Sequence, residues 1–204
     1  LRKPAEVAAE SNVIITMLPG STEVEEVYLG EHGILQAVRE GSVCIDTSSI
    51  DPVTAVRIAS ELRKKGASML DAPVSGGQEK AESGTLSIMG GGDKTVLERC
   101  LGILKSMGRD VVLVGDSGAG QIAKLANLCI VAVNMAIVGE AMCLGKKGGG
   151  GPAKNLPGHT VRPCGKPVHD GQSAAHVQRG LHPRRKNVAP RQGSEKRDDR
   201  MPGV

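Results

Sequence analysis

SVCIDTSSIDPVTAVRIASELRKKGASMLDAPV, residues 42–74, is the stretch that decides the fold. It begins with a β-branched run, Ser42–Ser48, and it ends with a second apolar run, Ala67–Val74. The residues between them, 51–66, have apolar side chains at helical spacing, with an Asp at the start and a Gly at the end. A strand, a helix and a second strand in this order predict a βαβ unit, in which the two strands are parallel.

The same alternation continues on both sides of this unit. Further strands are predicted at 13–19, 85–91 and 110–115, and further helices at 22–30 and 93–108. Asp93 is the predicted N-cap of the last of these helices. The chain is therefore predicted to be an α/β protein with a largely parallel sheet. Ligands of such sheets bind beyond the carboxyl ends of the strands, so the candidate site residues are those that directly follow strands.

The first candidate group is DAPVSGG, Asp71–Gly77. Ser75, Gly76 and Gly77 offer a hydroxyl and backbone N–H groups that can surround an oxyanion, because glycine places no side chain in the way. The same residues are also typical of a tight turn, and the pattern alone does not decide between the two interpretations.

The second candidate group is GAGQIAKLANL, Gly118–Leu128. A helix that begins here carries Lys124 and Asn127 one turn apart on one face. A lysine near the start of an otherwise apolar helix is partly desolvated, which lowers its pKa toward the range that is useful for proton transfer. The alternative is a surface lysine whose stem packs on the helix while its amine stays in water.

The third candidate group lies after two other predicted strands. It consists of MLPGS, Met17–Ser21, and DTSSIDP, Asp46–Pro52. Proline and serine are common turn residues, so both segments are also consistent with ordinary turns.

Composition divides the chain of 204 residues into two parts. Residues 151–204 contain 11 Lys and Arg but only 4 Asp and Glu, although the whole chain has a net charge of +4. This region is also rich in proline and poor in apolar residues, which predicts a disordered tail. The five cysteines are odd in number and lack metal-ligand spacing, so we expect a reducing compartment and no metal site. The apolar run Leu125–Leu144 contains Asn127, Asn134 and Glu140, which favours a buried core helix over a membrane span.

Four segments, in this order, resemble the β-hydroxyacid dehydrogenase family, most closely 3-hydroxyisobutyrate dehydrogenase and tartronate semialdehyde reductase. They are ITMLPGSTEVEEVYLGEHGIL, CIDTSSIDP, DAPVSGGQEKAESGTLSIMGGG and GAGQIAKLANL. The resemblance implies the C-terminal half of a Rossmann-type dinucleotide-binding domain at 1–117. It also implies the start of a long interdomain helix at 118–147. The family's GxGxxG turn is absent from the sequence.

The resemblance also implies roles for the candidate residues. Lys124 would be the general acid/base, and Ser75, Gly76, Gly77 and Asn127 would bind the substrate. Leu18, Pro19 and Ser49 would line the cofactor, NAD or NADP. The reaction would be hydride transfer between a small 3-hydroxy acid and that cofactor. The full-length protein would be a homo-oligomer with no nucleic-acid or membrane partner, located in the cytoplasm or, in a eukaryote, in the mitochondrial matrix.

Residues 148–204 do not resemble the family's all-helical second domain. Read one nucleotide forward, however, 150–160 permits Val-Asp-Pro-x-Lys-Ile-Tyr-Gln-Ala-Ile-Arg and 192–197 permits Lys-Asp-Leu-Lys-Asn-Ala, strings similar to that domain. We therefore expect a frameshifted tail, an inactive fragment, and an uncovered apolar helix at Leu125–Leu144 that causes aggregation. The alternative is a non-catalytic interaction module of the same fold with a basic tail.

Overall fold

The computed structural model describes residues 3–149, which alternate between strands and helices. The strands in this range are β1 Val13–Thr16, β2 Val43–Asp46, β3 Ser68–Asp71, β4 Val74–Ser75, β5 Leu86–Gly91 and β6 Gly108–Gly115. The helices are α1 Pro4–Glu10, α2 Ser21–Leu29, α3 Pro52–Lys64, α4 Gly77–Glu82, α5 Lys94–Met107 and α6 Ala119–Lys147, with a 3-10 helix at Ile34–Gln36. The predicted tail, from residue 150 onward, lies outside the described residues.

The sheet contains two groups of parallel strands, and the two groups run in opposite directions. Strands β1, β2 and β3 are parallel to one another, and β5 is parallel to β6. Strand β5 runs antiparallel both to β3, where Asp71 faces Gly91, and to β4. Only ten residues, 76–85, separate β4 from β5, fewer than the dozen or so that a parallel crossover needs, so β5 returns antiparallel to β4. The α/β class and the largely parallel sheet are confirmed, whereas the antiparallel joint was not predicted.

Helices α3 and α5 form where the sequence predicts them, because both have an acidic N-cap. The carboxylate of Asp51 accepts a hydrogen bond from the N–H of Val53, and that of Asp93 accepts from Thr95 and Val96. Each helix buries one apolar face in a separate hydrophobic cluster. The buried residues are Ala55, Ile58, Ala59 and Leu62 of α3, and Val96, Leu97, Cys100 and Leu104 of α5.

Helix α6 packs against the sheet only near its start. Gly120 and Gln121 are its buried residues, whereas Val133, Met135 and Leu144 are 66%, 71% and 74% exposed. The prediction of a buried core helix is therefore wrong for the described part of the chain, where nothing covers this surface. The other expectation for this helix, an uncovered apolar surface at Leu125–Leu144, agrees with this exposure. By length and composition alone α6 is able to cross a membrane, which is weak support for a span.

Candidate active site

Lys124 lies in the second turn of α6 and is directed toward the sheet. Its Nζ donates a hydrogen bond to the carbonyl oxygen of Val74 at 2.7 Å. Desolvation by the surrounding protein lowers the pKa of this amine below its ordinary value of 10.5. The structure thus favours the partly buried amine over the solvated surface lysine.

Asn127 and Ser75 complete a small polar cluster with Lys124. The Nδ2 of Asn127 donates a hydrogen bond to the Oγ of Ser75 at 3.3 Å, and Ser75 directly follows the residue that binds Lys124. Gly76 and Gly77 come next, with φ angles of 145° and 67°. Both angles lie in the region that favours glycine, so the backbone here bends in a way that other residues rarely adopt. The two motifs Asp71–Gly77 and Gly118–Leu128 therefore meet.

Asp71, the last residue of β3, holds the start of α6 in place. Its carboxylate accepts hydrogen bonds from the N–H groups of Gly118, at 2.7 Å, and Gln121, at 3.1 Å. These N–H groups have no partner within the helix, and a negative charge at a helix N-terminus is favourable. Burial raises the pKa of Asp71, although the hydrogen bonds to its ionised form oppose this shift. This role of Asp71 was not predicted, although an Asp at the end of a buried strand was a usable signal.

Gly120 allows α6 to lie close to the sheet. A Cβ added at this position would be 2.6 Å from the carbonyl oxygen of Asp71 and would also collide with that of Met89. Real Cβ atoms do not approach other atoms this closely. The second Gly of the GAG motif is therefore required by the contact between helix and sheet that carries Lys124 into position.

Ser49 and Lys124 line one cavity, of about 360 Å³, at the carboxyl end of β2. Gln121 contributes to its polar part, and Ile50, Leu125 and Leu128 contribute apolar walls. A flat ring with polar groups at its edge, such as nicotinamide, fits a lining of this kind. The residues present are thus compatible with the nicotinamide end of the cofactor. Among residues 3–149, no group of His, Cys, Asp and Glu side chains is arranged to hold a metal ion.

The other two residues predicted to line the cofactor lie apart from this cavity. The N–H of Leu18 donates a hydrogen bond to the Oγ of Ser48 at 2.9 Å, which joins the loops that follow β1 and β2. The side chain of Leu18 lines a separate cavity of about 790 Å³ beside α2. Pro19 is exposed and contributes to neither cavity.

A buried polar network supports these two loops. Asp46 is fully buried, and its Oδ1 accepts hydrogen bonds from the Oγ1 of Thr16 at 2.8 Å and from the Oγ of Ser48 at 2.6 Å. The hydroxyl of Tyr28 is hydrogen-bonded to Thr16 at 3.0 Å. Burial raises the pKa of Asp46, whose Oδ2 has no hydrogen-bond partner among the described residues. The network fixes the Ser48 hydroxyl, which in turn binds Leu18.

Comparison with known proteins first defines the class. Residues 1–115 match the family described as the NAD binding domain of 6-phosphogluconate dehydrogenase. The alternating fold and the site at the carboxyl ends of its strands agree with this match, so the class is that of nicotinamide-dinucleotide-binding domains. The expected cofactor class, NAD or NADP, is confirmed at the level of this family.

Individual relatives narrow the class to a family. A probable mitochondrial 3-hydroxyisobutyrate dehydrogenase of Dictyostelium discoideum is 48% identical over 151 residues, which are 74% of this chain and 47% of that protein. The 2-hydroxy-3-oxopropionate reductase of Escherichia coli (strain K12) is 42% identical over 73% of this chain and 51% of that protein. The chain belongs to the β-hydroxyacid dehydrogenase family, as its motifs predict.

A solved structure agrees with this assignment. The 3-hydroxyisobutyrate dehydrogenase of Mycobacterium tuberculosis with L-serine is similar to the chain with a TM-score of 0.70 and 35% sequence identity. The match covers 76% of this chain and 53% of that one. The chain thus spans about half the length of the relatives that it matches.

Proposed function

We propose that the protein containing this chain is an oxidoreductase that transfers a hydride between a small 3-hydroxy acid and NAD or NADP. The observation that carries the proposal is the position of Lys124. Its partly desolvated amine binds the Val74 carbonyl beside Ser75 and lines one cavity with Ser49. A base, a candidate anion-binding segment and a candidate cofactor cavity therefore lie within one small region.

The names of three relatives support the substrate class. They are 3-hydroxyisobutyrate dehydrogenase, 2-hydroxy-3-oxopropionate reductase and 2-(hydroxymethyl)glutarate dehydrogenase. In each named compound, the carbon that bears the reacting hydroxyl or aldehyde is attached to the carbon next to a carboxylate. We therefore propose a short acid with this arrangement as the substrate.

Lys124 acts as the general acid/base in this proposal. In the direction of oxidation, its neutral amine takes the proton of the substrate hydroxyl, and in the direction of reduction the ammonium returns it. The lowered pKa increases the fraction of neutral amine at a given pH, which favours proton transfer. Ser49 would contact the nicotinamide end of the cofactor, while Leu18 and Pro19, which lie outside that cavity, would contact another part of it. The bound cofactor would accept the hydride in oxidation and donate it in reduction.

Ser75, Gly76 and Gly77 bind the substrate carboxylate, and Asn127 positions the substrate beside Lys124. The exposure of the two glycines and their unusual φ angles support this assignment, since the backbone here is accessible to an anion. A carboxylate held at one end of the substrate limits the motion of the reacting carbon, which makes the reaction effectively intramolecular.

The remaining properties of the whole protein belong to the same proposal. We propose a homo-oligomer without nucleic-acid or membrane partners, in which 1–117 and 118–147 belong to different domains. We place it in the cytoplasm or, for a eukaryotic source, in the mitochondrial matrix. The names of the Dictyostelium discoideum and Mus musculus relatives include the word mitochondrial, which supports the second location.

The test is the substitution Lys124→Ala in the longest gene product that contains this sequence. We expect kcat/KM for oxidation of 3-hydroxyisobutyrate to fall by about 10²–10⁴-fold, the usual contribution of general acid–base catalysis. Lys105→Ala is the matched control, because Lys105 is exposed on α5 and lines neither cavity. A Lys124→Ala variant with unchanged kcat/KM would refute the assigned role. The non-catalytic module would instead show no turnover in the unsubstituted protein.

A further inference from the structure

Gln121 is a buried side chain whose amide binds the backbone on both sides of Ser49. It is 1% exposed. Its Nε2 donates a hydrogen bond to the carbonyl oxygen of Ser48 at 2.8 Å, and its Oε1 accepts one from the N–H of Ile50 at 3.1 Å. A glutamine amide has one donor end and one acceptor end, and here both are used on one loop.

The backbone of Gln121 is hydrogen-bonded to the last residue of β3. Its N–H donates to the carboxylate of Asp71 at 3.1 Å. The residue thus connects the segment that follows β2, which contains Ser49, with the end of β3, after which Ser75 follows. Lys124 lies three positions further along α6, about one helical turn away.

We propose that Gln121 is a positioning residue that fixes the distance between Ser49 and Lys124. The inference rests on the proposed function, in which Ser49 lines the cofactor and Lys124 transfers the proton. Both residues line the same cavity as Gln121. Gln121 lies on the same helix as Lys124 and is hydrogen-bonded to the residues before and after Ser49. The loop that contains Ser49 therefore has little freedom to move relative to Lys124.

Two substitutions separate the hydrogen bonds of Gln121 from its size. Gln121→Met keeps a similar volume and removes both hydrogen bonds. Gln121→Glu keeps an acceptor for the Ile50 N–H but replaces the donor that faces Ser48 with an oxygen. Gln36→Met is the matched control, because Gln36 is exposed and lines neither cavity.

The first measurement is amide hydrogen exchange at Ile50 in the 204-residue chain. We expect Gln121→Met to accelerate this exchange at least tenfold while the amide of Ile45 in β2 keeps its rate, and Gln121→Glu to give a smaller effect. The second measurement is the pH dependence of acetylation at Lys124, followed by peptide mass spectrometry. We expect the titration of Lys124 to move toward its ordinary value in Gln121→Met, because a loosened loop admits water. Gln36→Met should change neither quantity.

The third measurement is turnover in the longest gene product, where we expect Gln121→Met to lower kcat at least tenfold. If Ile50 exchange accelerates but the titration of Lys124 and kcat stay unchanged, Gln121 is merely structural and the proposal is wrong. Unchanged Ile50 exchange also overturns it. If the unsubstituted protein oxidises no 3-hydroxy acid, the proposed function fails, while the titration of Lys124 still decides the role of Gln121. Should Gln121→Met not fold, Gln121→Glu carries the same measurements.

Discussion

Replacing Gly120 by Ala should separate the start of α6 from the sheet. The added Cβ would lie 2.6 Å from the Asp71 carbonyl oxygen, whereas ordinary contacts begin at about 3.4 Å. The helix must therefore move by roughly 1 Å, a shift that stretches the hydrogen bond from Gly118 to Asp71 beyond its present 2.7 Å. Overpacking costs about 1–3 kcal/mol, and a weakened hydrogen bond to a charged group costs about 1–3 kcal/mol more. The higher helix propensity of Ala compared with Gly adds back about 1 kcal/mol to the free energy of unfolding.

The net expectation is a loss of about 3 kcal/mol in the free energy of unfolding, measured by urea denaturation. For a domain of this size, the loss corresponds to a decrease in Tm of about 6–12 °C. Gly139→Ala in the same helix and Gly102→Ala in α5 are the controls, because an added Cβ meets no atom within 4 Å at either position. Both should leave stability unchanged or raise it by up to about 1 kcal/mol. A Gly120→Ala variant as stable as these controls would refute the reasoning.

Three further predictions concern other parts of the fold. Hydrogen bonds from Thr95 and Val96 hold the pKa of Asp93 below its ordinary value of 3.8. The ionised carboxylate therefore stabilises the folded state above that pH, and this contribution is lost as the pH falls. Asp93→Asn should make the Tm decrease less steeply in acid, because the variant has no carboxylate to protonate. Burial raises the pKa of Cys44 to about 12, so in native iodoacetamide labelling followed by mass spectrometry it should stay unmodified while the exposed Cys129 and Cys143 react. Val133 lies on the exposed apolar surface of α6, so Val133→Lys should reduce the self-association of the chain in light scattering. Val53→Lys, at an exposed site on α3, should not reduce it. A monodisperse unsubstituted chain would contradict this prediction.

The sequence allowed the elements with strong local signals to be predicted. The segments that became β2, α3 and β3 have apolar periodicity and an acidic N-cap, which are properties of neighbouring residues. The meeting of Lys124 with the Asp71–Gly77 segment was implied by the family resemblance and not by strand direction, because α6 follows β6, which runs opposite to β3. The family resemblance then assigned a role to each residue of the cluster.

The features that were missed depend on residues far apart in the chain. The antiparallel direction of β5 follows from the short connection through β4 and α4, neither of which has a clear periodic pattern. Asp71 and Gln121 act through hydrogen bonds to segments about 50 and 70 residues away, which no local pattern reveals. The burial expected for α6 was wrong because apolar composition does not determine whether another surface is present to cover it.

The dispersed origin of the site has a consequence for the order of folding. Lys124 binds a residue 50 positions earlier, Asp71 binds Gly118 across 47 positions, and Gln121 binds Ser48 across 73. Closing such long loops costs entropy that is recovered only when the contacts form. During synthesis, β1 to β3 leave the ribosome well before Gln121 does, so the sheet is available first and the start of α6 docks on it. We therefore expect the arrangement around Lys124 to be among the last features to form within residues 3–149.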